Sequence, residues 1–297
     1  MRISADNSVL LWKKQKRLRE IEIDATDLPL IPILEKDPNV FKDFKDVLEL
    51  AFYPDKLDGL RVCQKILQAS PGIKELTVSA GAFKASDERV PDDLQDTSTR
   101  AGLISRTVFS HLQPFDRCSP HMLTWLRLEH ISLRYAVDTY LRVINFSVLK
   151  SLELYQCDGD ENLFAQLSKP HIRPGQLKHL HWIQRIINES HVLEAFEGML
   201  ESLLGLETLH IEIDTIDNLP KAKAIRHHGK TLKYLSIHVQ SINNTLNYEP
   251  AEFTDICTSC PELVQLSVAF PNTSVDSAEA SPDYATVLVS LEQLDDT

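Results

Sequence analysis

A pattern of three apolar residues, apolar-x-x-apolar-x-apolar, recurs along the chain and constrains its fold more than any other feature. Its nine copies begin at Leu18, Val47, Ile73, Leu123, Leu149, Leu177, Leu206, Leu232 and Leu263. Successive copies start 26 to 31 residues apart, except for one interval of 50 residues, which equals two units. A fixed period of this length is typical of repeat proteins, in which each unit packs against its neighbours. We therefore predict a single solenoid over residues 1–297 with about nine or ten repeats, counting a degenerate unit near residues 95–105.

Each unit combines the period of a strand with the period of a helix. The last two apolar residues of the pattern alternate with polar ones, as in residues 152–154, and this is the period of a strand with one buried face. Between the strands the apolar spacing becomes helical, most clearly over residues 190–205. Similar helical stretches cover residues 57–68, 100–112, 138–146 and 220–228. The sequence predicts an α/β leucine-rich-repeat solenoid, with a curved parallel sheet on the concave side and helices on the convex side.

A doubly wound α/β fold is the main alternative, because it also alternates strands and helices. Its strands would be almost continuously apolar, and a Gly-rich phosphate turn would follow the first of them. The chain has nine glycines and no G-x-G-x-x-G motif, so the pattern favours the solenoid.

Two segments fall outside the repeat pattern. Residues 80–98 are mostly small, charged or turn-forming, and we expect an irregular insertion there, followed by a helix near residues 100–112. We expect a weakly ordered tail over residues 271–297. If the strands on either side of the insertion pair directly, the degenerate unit does not exist.

Two segments match more than the generic repeat. The stretches Ile225–Ile237 (IRHHGKTLKYLSI) and Cys257–Val268 (CTSCPELVQLSV) resemble the helix-to-strand joints of fungal F-box/leucine-rich-repeat proteins, which are ribonuclease-inhibitor-like, and the resemblance covers residues 10–270. It implies repeats that hold the substrate of a ubiquitin ligase, whose Skp adaptor binds an N-terminal F-box. A repeat strand is already predicted at Leu18, and the chain contains no Leu-Pro-x-Glu-Leu start of an F-box. We therefore expect the Skp adaptor as a partner only if an F-box lies upstream.

Charge and cysteine content exclude several classes of function. The net charge of −12 disfavours nucleic acid as a partner, because affinity for phosphates comes from clustered Lys and Arg. No apolar run reaches the roughly 18 residues that span a bilayer, and the first apolar run, residues 9–12, is too short for a signal peptide. Five scattered cysteines favour a reducing compartment. We expect a cytoplasmic or nuclear protein that binds neither nucleic acid nor membrane.

The residues most informative about function are those that alternation places on the concave face. They are acidic in the N-terminal third, at Glu20, Glu22, Asp24, Glu49 and Glu75, and rich in aromatic residues and histidine further along. Tyr and Trp are enriched at interface hot spots, so we expect a protein partner to bind this face. The predicted partner-binding residues are Trp125, Arg127, Glu153, Tyr155, His179, His181, His210, Glu212, Tyr234 and His238.

Three groups of residues suggest other chemistry. Glu153, His181 and His210 occupy one position on consecutive strands and could hold zinc or titrate together, but no fourth ligand is evident. Cys257 and Cys260 form a C-x-x-C pair without a second pair, so we expect them in the core. Two histidines at a helix end, residues 227–228, are expected on the surface. The basic run at residues 13–19 is predicted to be a solvated turn, with a nuclear-import patch as the alternative.

No motif of catalysis accompanies these groups. The chain lacks a G-x-S-x-G elbow, a Walker loop and an H-E-x-x-H helix. We predict no catalytic residue, no cofactor and no metal. The expected function is substrate recognition in an F-box-type ubiquitin ligase receptor. The alternatives are a ubiquitin-independent scaffold or regulator, and an enzyme or metal protein that uses the histidines.

Overall fold

Nine strands form at the nine apolar patterns of the sequence. The computed structural model describes residues 18–24, 44–54, 57–80, 107–109, 121–134, 137–185, 190–214, 216, 218–239 and 246–268. The strands are β1 (Glu20–Asp24), β2 (Glu49–Tyr53), β3 (Glu75–Ser79), β4 (Trp125–Glu129), β5 (Ser151–Tyr155), β6 (His179–Gln184), β7 (Thr208–Ile213), β8 (Tyr234–Val239) and β9 (Gln265–Val268). They follow the order of the chain in an all-parallel sheet. The predicted α/β class and strand positions are confirmed.

Helices connect these strands. They are α1 (Leu57–Ala69), α2 (Val137–Val143), α3 (Asp160–Leu167), α4 (Ser190–Ser202), α5 (Ala222–Arg226) and α6 (Pro250–Ser259), with short 3-10 turns at Phe44–Asp46 and Phe146–Val148. The predictions for α1, α2, α4 and α5 are confirmed, and α3 and α6 were not predicted. Of the helix predicted over 100–112 the structure describes only residues 107–109, of which Thr107 and Val108 are helical. Residues 81–98 and the predicted tail at 271–297 lie outside the described residues.

The prediction of a degenerate unit near residues 95–105 is wrong. Strand β3 pairs directly with β4, so that Leu76 lies beside Leu126 and Val78 beside Leu128. The interval of 50 residues is therefore one unit with a long connection. Its length equals two periods although β3 and β4 are direct neighbours in the sheet, and a long connection is tolerated because the entropy cost of closing a loop grows only slowly with its length.

The chain divides into two compact units. The first contains Met1–Leu149 and Gln156–Asp160, and the second contains Lys150–Tyr155 and Glu161–Thr297. Strands β1–β4 belong to the first unit and β5–β9 to the second. The single solenoid over residues 1–297 stays a prediction.

Alternation along each strand separates a buried face from an outward face. In the second unit Leu152, Leu180, Leu209, Leu235 and Leu266 lie side by side on consecutive strands, and the first four are buried. The Trp182 ring on this face is fully buried, with its centroid 5.2 Å from that of Phe164 in α3 and 4.3 Å from that of Phe196 in α4. The helices α3 and α4 therefore cover the buried face, and the opposite face of β6 carries the candidate site.

The predicted surface position of His228 is wrong, whereas His227 is exposed. Helix α5 ends at Arg226, and the following turn directs the His228 ring into the core, where it is 1% exposed. The Leu206 N–H donates to its Nδ1 across 3.4 Å. Burial, reinforced by His227 and opposed by the Leu200 backbone, lowers the pKa of His228 to about 4.

Acid should destabilise the fold through His228. Its pKa in the folded chain lies below the value of about 6.5 in an unfolded chain, so the unfolded state binds the proton more readily. Between about pH 6.5 and pH 4 the free energy of unfolding should fall by up to about 3 kcal/mol from this residue alone. Urea denaturation at pH 7 and pH 4.5 measures the loss.

Two variants isolate this residue from the other titrating groups. His228→Asn keeps an acceptor for the Leu206 N–H but removes the titration, so it should lose much less stability on acidification. His171→Asn removes an exposed histidine and should behave like the wild type. Equal acid sensitivity of His228→Asn and wild type would contradict this assignment.

Candidate functional site

Side chains that are polar or aromatic, with the exception of Ile183, occupy three rows across β5–β8 in the second unit. The first row is Ser151, His179, Thr208 and Tyr234; the second is Glu153, His181, His210 and Ser236; the third is Tyr155, Ile183, Glu212 and His238. Residues within a row are direct neighbours, with strands about 4.8 Å apart. These twelve residues are called the histidine face below. His181 and His210 are direct neighbours within the second row.

Most of the histidine face is accessible. His179, Tyr234 and His238 are exposed, and Tyr155, His181, His210 and Glu212 are partly exposed, as expected for side chains that point away from the core. Glu153 differs, because only 9% of its surface is exposed. Alternation determines the direction in which a side chain points, whereas its exposure depends on the side chains around it, and the sequence does not reveal those.

Direct contacts link neighbouring histidines and their partners. The rings of His181 and His210 lie 5.5 Å apart, centroid to centroid, at an angle of 60°. His210 Nε2 is 3.7 Å from a carboxylate oxygen of Glu212. At the edges of the face, His179 Nδ1 lies 3.0 Å from Thr208 Oγ1, and His238 Nε2 lies 3.0 Å from Ser267 Oγ. Several of these side chains are therefore held in place by a neighbour on the next strand.

The central histidine is poorly suited to carry charge. Burial lowers the pKa of His210, the Glu212 carboxylate opposes that shift, and His238 adds to it. The ring is therefore mainly neutral at pH 7, with an apolar body and a polar edge available for contact. Among the described residues no three His, Cys, Asp or Glu side chains are arranged to hold a metal ion. The histidine face therefore presents aromatic rings and polar edges on its outward side.

Trp125 and Arg127 lie in the first unit, on β4, and not on the histidine face. Arg127 Nη2 is 3.4 Å from a carboxylate oxygen of Glu129. Both residues line a cavity with side chains of β1–β3, including Tyr53 and Thr77, which alternation places on the outward face but which were not among the predicted partner-binding residues. The shared position of these residues on neighbouring strands is the signal that could have identified them.

The C-x-x-C pair lies in the core. Cys257 and Cys260 are both buried and free, as predicted for structural residues. Burial raises the pKa of each thiol to about 11. At neutral pH both are protonated, whereas metal binding and disulfide exchange require the thiolate.

No family model matches this sequence, and no curated protein is significantly similar to it. In the part of the chain that the structure describes, every helix is too short or too polar to cross a membrane. The function must therefore be inferred from the surfaces themselves.

Proposed function

We propose that this chain is a non-catalytic protein-binding module, built as a leucine-rich-repeat solenoid, and that a protein partner binds the histidine face. The observation that carries the proposal is that six of the twelve residues of the histidine face, in register on β5–β8, are tyrosine or histidine: Tyr155, His179, His181, His210, Tyr234 and His238. Because such side chains have few rotatable bonds and the sheet is preformed, binding to them costs little conformational entropy. Tyr234 is exposed over 44% of its surface and is the more accessible of the two tyrosine rings on this face.

The more specific proposal is that the repeats recognise the substrate of an F-box-type ubiquitin ligase. Its support is the resemblance of residues 225–237 and 257–268 to helix-to-strand joints of F-box/leucine-rich-repeat proteins. The alternative is a scaffold or regulator independent of ubiquitin. An in-frame F-box in the upstream genomic sequence would favour the ligase role and add the Skp adaptor as a partner. Its absence from the gene would favour the scaffold.

Replacing His181 and His210 together by alanine should abolish most partner binding without unfolding the protein. If the two central rings together contribute about 2–4 kcal/mol, affinity should fall at least about thirtyfold. Neither ring belongs to the core, so the free energy of unfolding should change by less than about 0.5 kcal/mol per site. Affinity capture with quantitative mass spectrometry, followed by titration of each captured partner, measures the binding.

A matched variant controls for the loss of two histidines. His171→Ala with His191→Ala removes two exposed histidines outside the histidine face and should retain every partner. Normal binding of all partners by the His181→Ala, His210→Ala variant would contradict the proposed site. Unfolding of that variant would contradict the assignment of these side chains to the outward face.

A further inference from the structure

The first unit carries a second outward surface with a different chemistry. A cavity of about 210 Å³ opens on β1–β4, and its lining includes four glutamates together with Tyr53 and Trp125. The glutamates are Glu20, Glu22, Glu49 and Glu75. None of these six residues belongs to the histidine face, so the surface is independent of the function proposed above.

Three of the glutamates form one row across the strands. Glu20 lies beside Glu49, Glu49 beside Glu75, and Glu75 beside Trp125. Adjacent carboxylates are therefore on strands about 4.8 Å apart and repel one another. Partial burial and the charges of Glu49 and Glu20 raise the pKa of Glu75. Arg127 also lines the cavity, but its guanidinium is paired with Glu129 at 3.4 Å, and no described Lys, Arg or His forms an ion pair with the three carboxylates.

A positively charged ligand would relieve this repulsion. The strand spacing puts the outer two glutamates about 10 Å apart, which is too wide for a single metal ion to contact all three. No three His, Cys, Asp or Glu side chains in the described ranges are arranged for a metal. Lysine or arginine side chains spaced along a peptide match a row of separated carboxylates better. At the end of the row Trp125 offers an aromatic ring, to which ammonium and guanidinium groups are attracted.

We propose that the outward face of β1–β4 binds a basic, extended segment of a partner protein. The row from Glu20 to Trp125 spans about 14 Å, the length of four to five residues of extended chain. Within such a segment alternate side chains point the same way, about 7 Å apart, so two or three Lys or Arg residues reach the row. The small side chain of Ala51, between Glu22 and Thr77 in the adjacent row, leaves room for the bound backbone.

Fluorescence anisotropy of the full chain with a short labelled peptide tests this proposal. The probe is a six-residue peptide in which arginine and serine alternate, and the control peptide has glutamate in place of arginine. We expect the basic peptide to bind, the acidic one not to bind, and affinity to fall as salt rises from about 50 mM to about 300 mM. The E20Q/E49Q/E75Q variant should bind at least about tenfold more weakly, because three charge contacts are lost.

Matched variants distinguish this site from the overall negative charge of the protein. E194Q/E252Q/E262Q removes three exposed glutamates of the second unit and should retain the wild-type affinity apart from a small general effect. Trp125→Ala should weaken binding, and Trp125→Phe should restore part of it. Equal binding by both triple variants, absence of binding to the basic peptide, or displacement of the peptide by millimolar Ca²⁺ would each overturn the proposal. The glutamine variant is nearly isosteric and removes repulsion between the carboxylates, so its urea midpoint should be equal to or slightly higher than that of the wild type.

Discussion

Replacement of Trp182 by alanine should lower the free energy of unfolding by about 3–5 kcal/mol, because it leaves a large cavity in the core of the second unit. The indole is fully buried and packs against the rings of Phe164 and Phe196, which also contact one another at a centroid distance of 5.2 Å. The loss should appear as a lower urea midpoint in circular dichroism. Phenylalanine at the same position should recover part of the stability.

The adjacent residue supplies the control for this experiment. His181 precedes Trp182 on β6 and points to the opposite face, so His181→Ala should change the free energy of unfolding by less than about 0.5 kcal/mol. A large loss of unfolding free energy for His181→Ala, or a small one for Trp182→Ala, would show that β6 faces the other way. The two variants therefore test which side chains of β6 point outward, and the proposed binding surface depends on that direction.

Replacement of Gly159 by alanine should lower the free energy of unfolding by about 2–5 kcal/mol, for two reasons that add. Its φ angle is +75°, which side chains other than glycine rarely adopt. A Cβ atom there would lie 2.4 Å from the Arg134 Cα and 2.5 Å from the Arg134 N, so the backbone would have to move. The clash would disrupt the bridge between Ser132 and Asp158.

A second glycine gives a control with the opposite sign. Gly198 is exposed inside α4, and a Cβ there would meet no atom within 4 Å. Gly198→Ala should therefore stabilise the protein by up to about 1 kcal/mol, through the higher helix propensity of alanine. Urea denaturation of the two variants beside the wild type measures both effects. If both variants changed the free energy of unfolding by a similar amount in the same direction, the positive φ of Gly159 and the close approach of Arg134 would be contradicted.

Some helices were predicted from the sequence and others were not. The longest ones, α1 and α4, have 13 residues each and were predicted, because several turns are needed to display a helical period. The shorter helices were predicted unevenly: α2 and α5 were identified, whereas α3, which has eight residues and buries mainly Leu163, Phe164 and Leu167, was not. Its position became visible only where Phe164 meets Trp182 of the next strand.

The candidate surfaces were predicted in part. The outward direction of His181, His210 and Tyr234 followed from alternation, which is a local property of an extended backbone. Alternation did not reveal that the predicted binding residues lie on two separate surfaces. Trp125 and Arg127 belong to the first unit and line a cavity there. A list of outward positions contains no information about which of them share a depression.

The sequence by itself determined where the nine strands lie and which of their side chains face the core, because both depend on residues close together along the chain. The tertiary structure alone decided that β3 pairs with β4 and that the His228 ring is buried against the Leu206 amide. It also decided that Glu20, Glu49 and Glu75 line one cavity. Each of these depends on contacts between residues about 20 to 50 positions apart, and the energy of such contacts is set by packing and by neighbouring charges that no local pattern encodes.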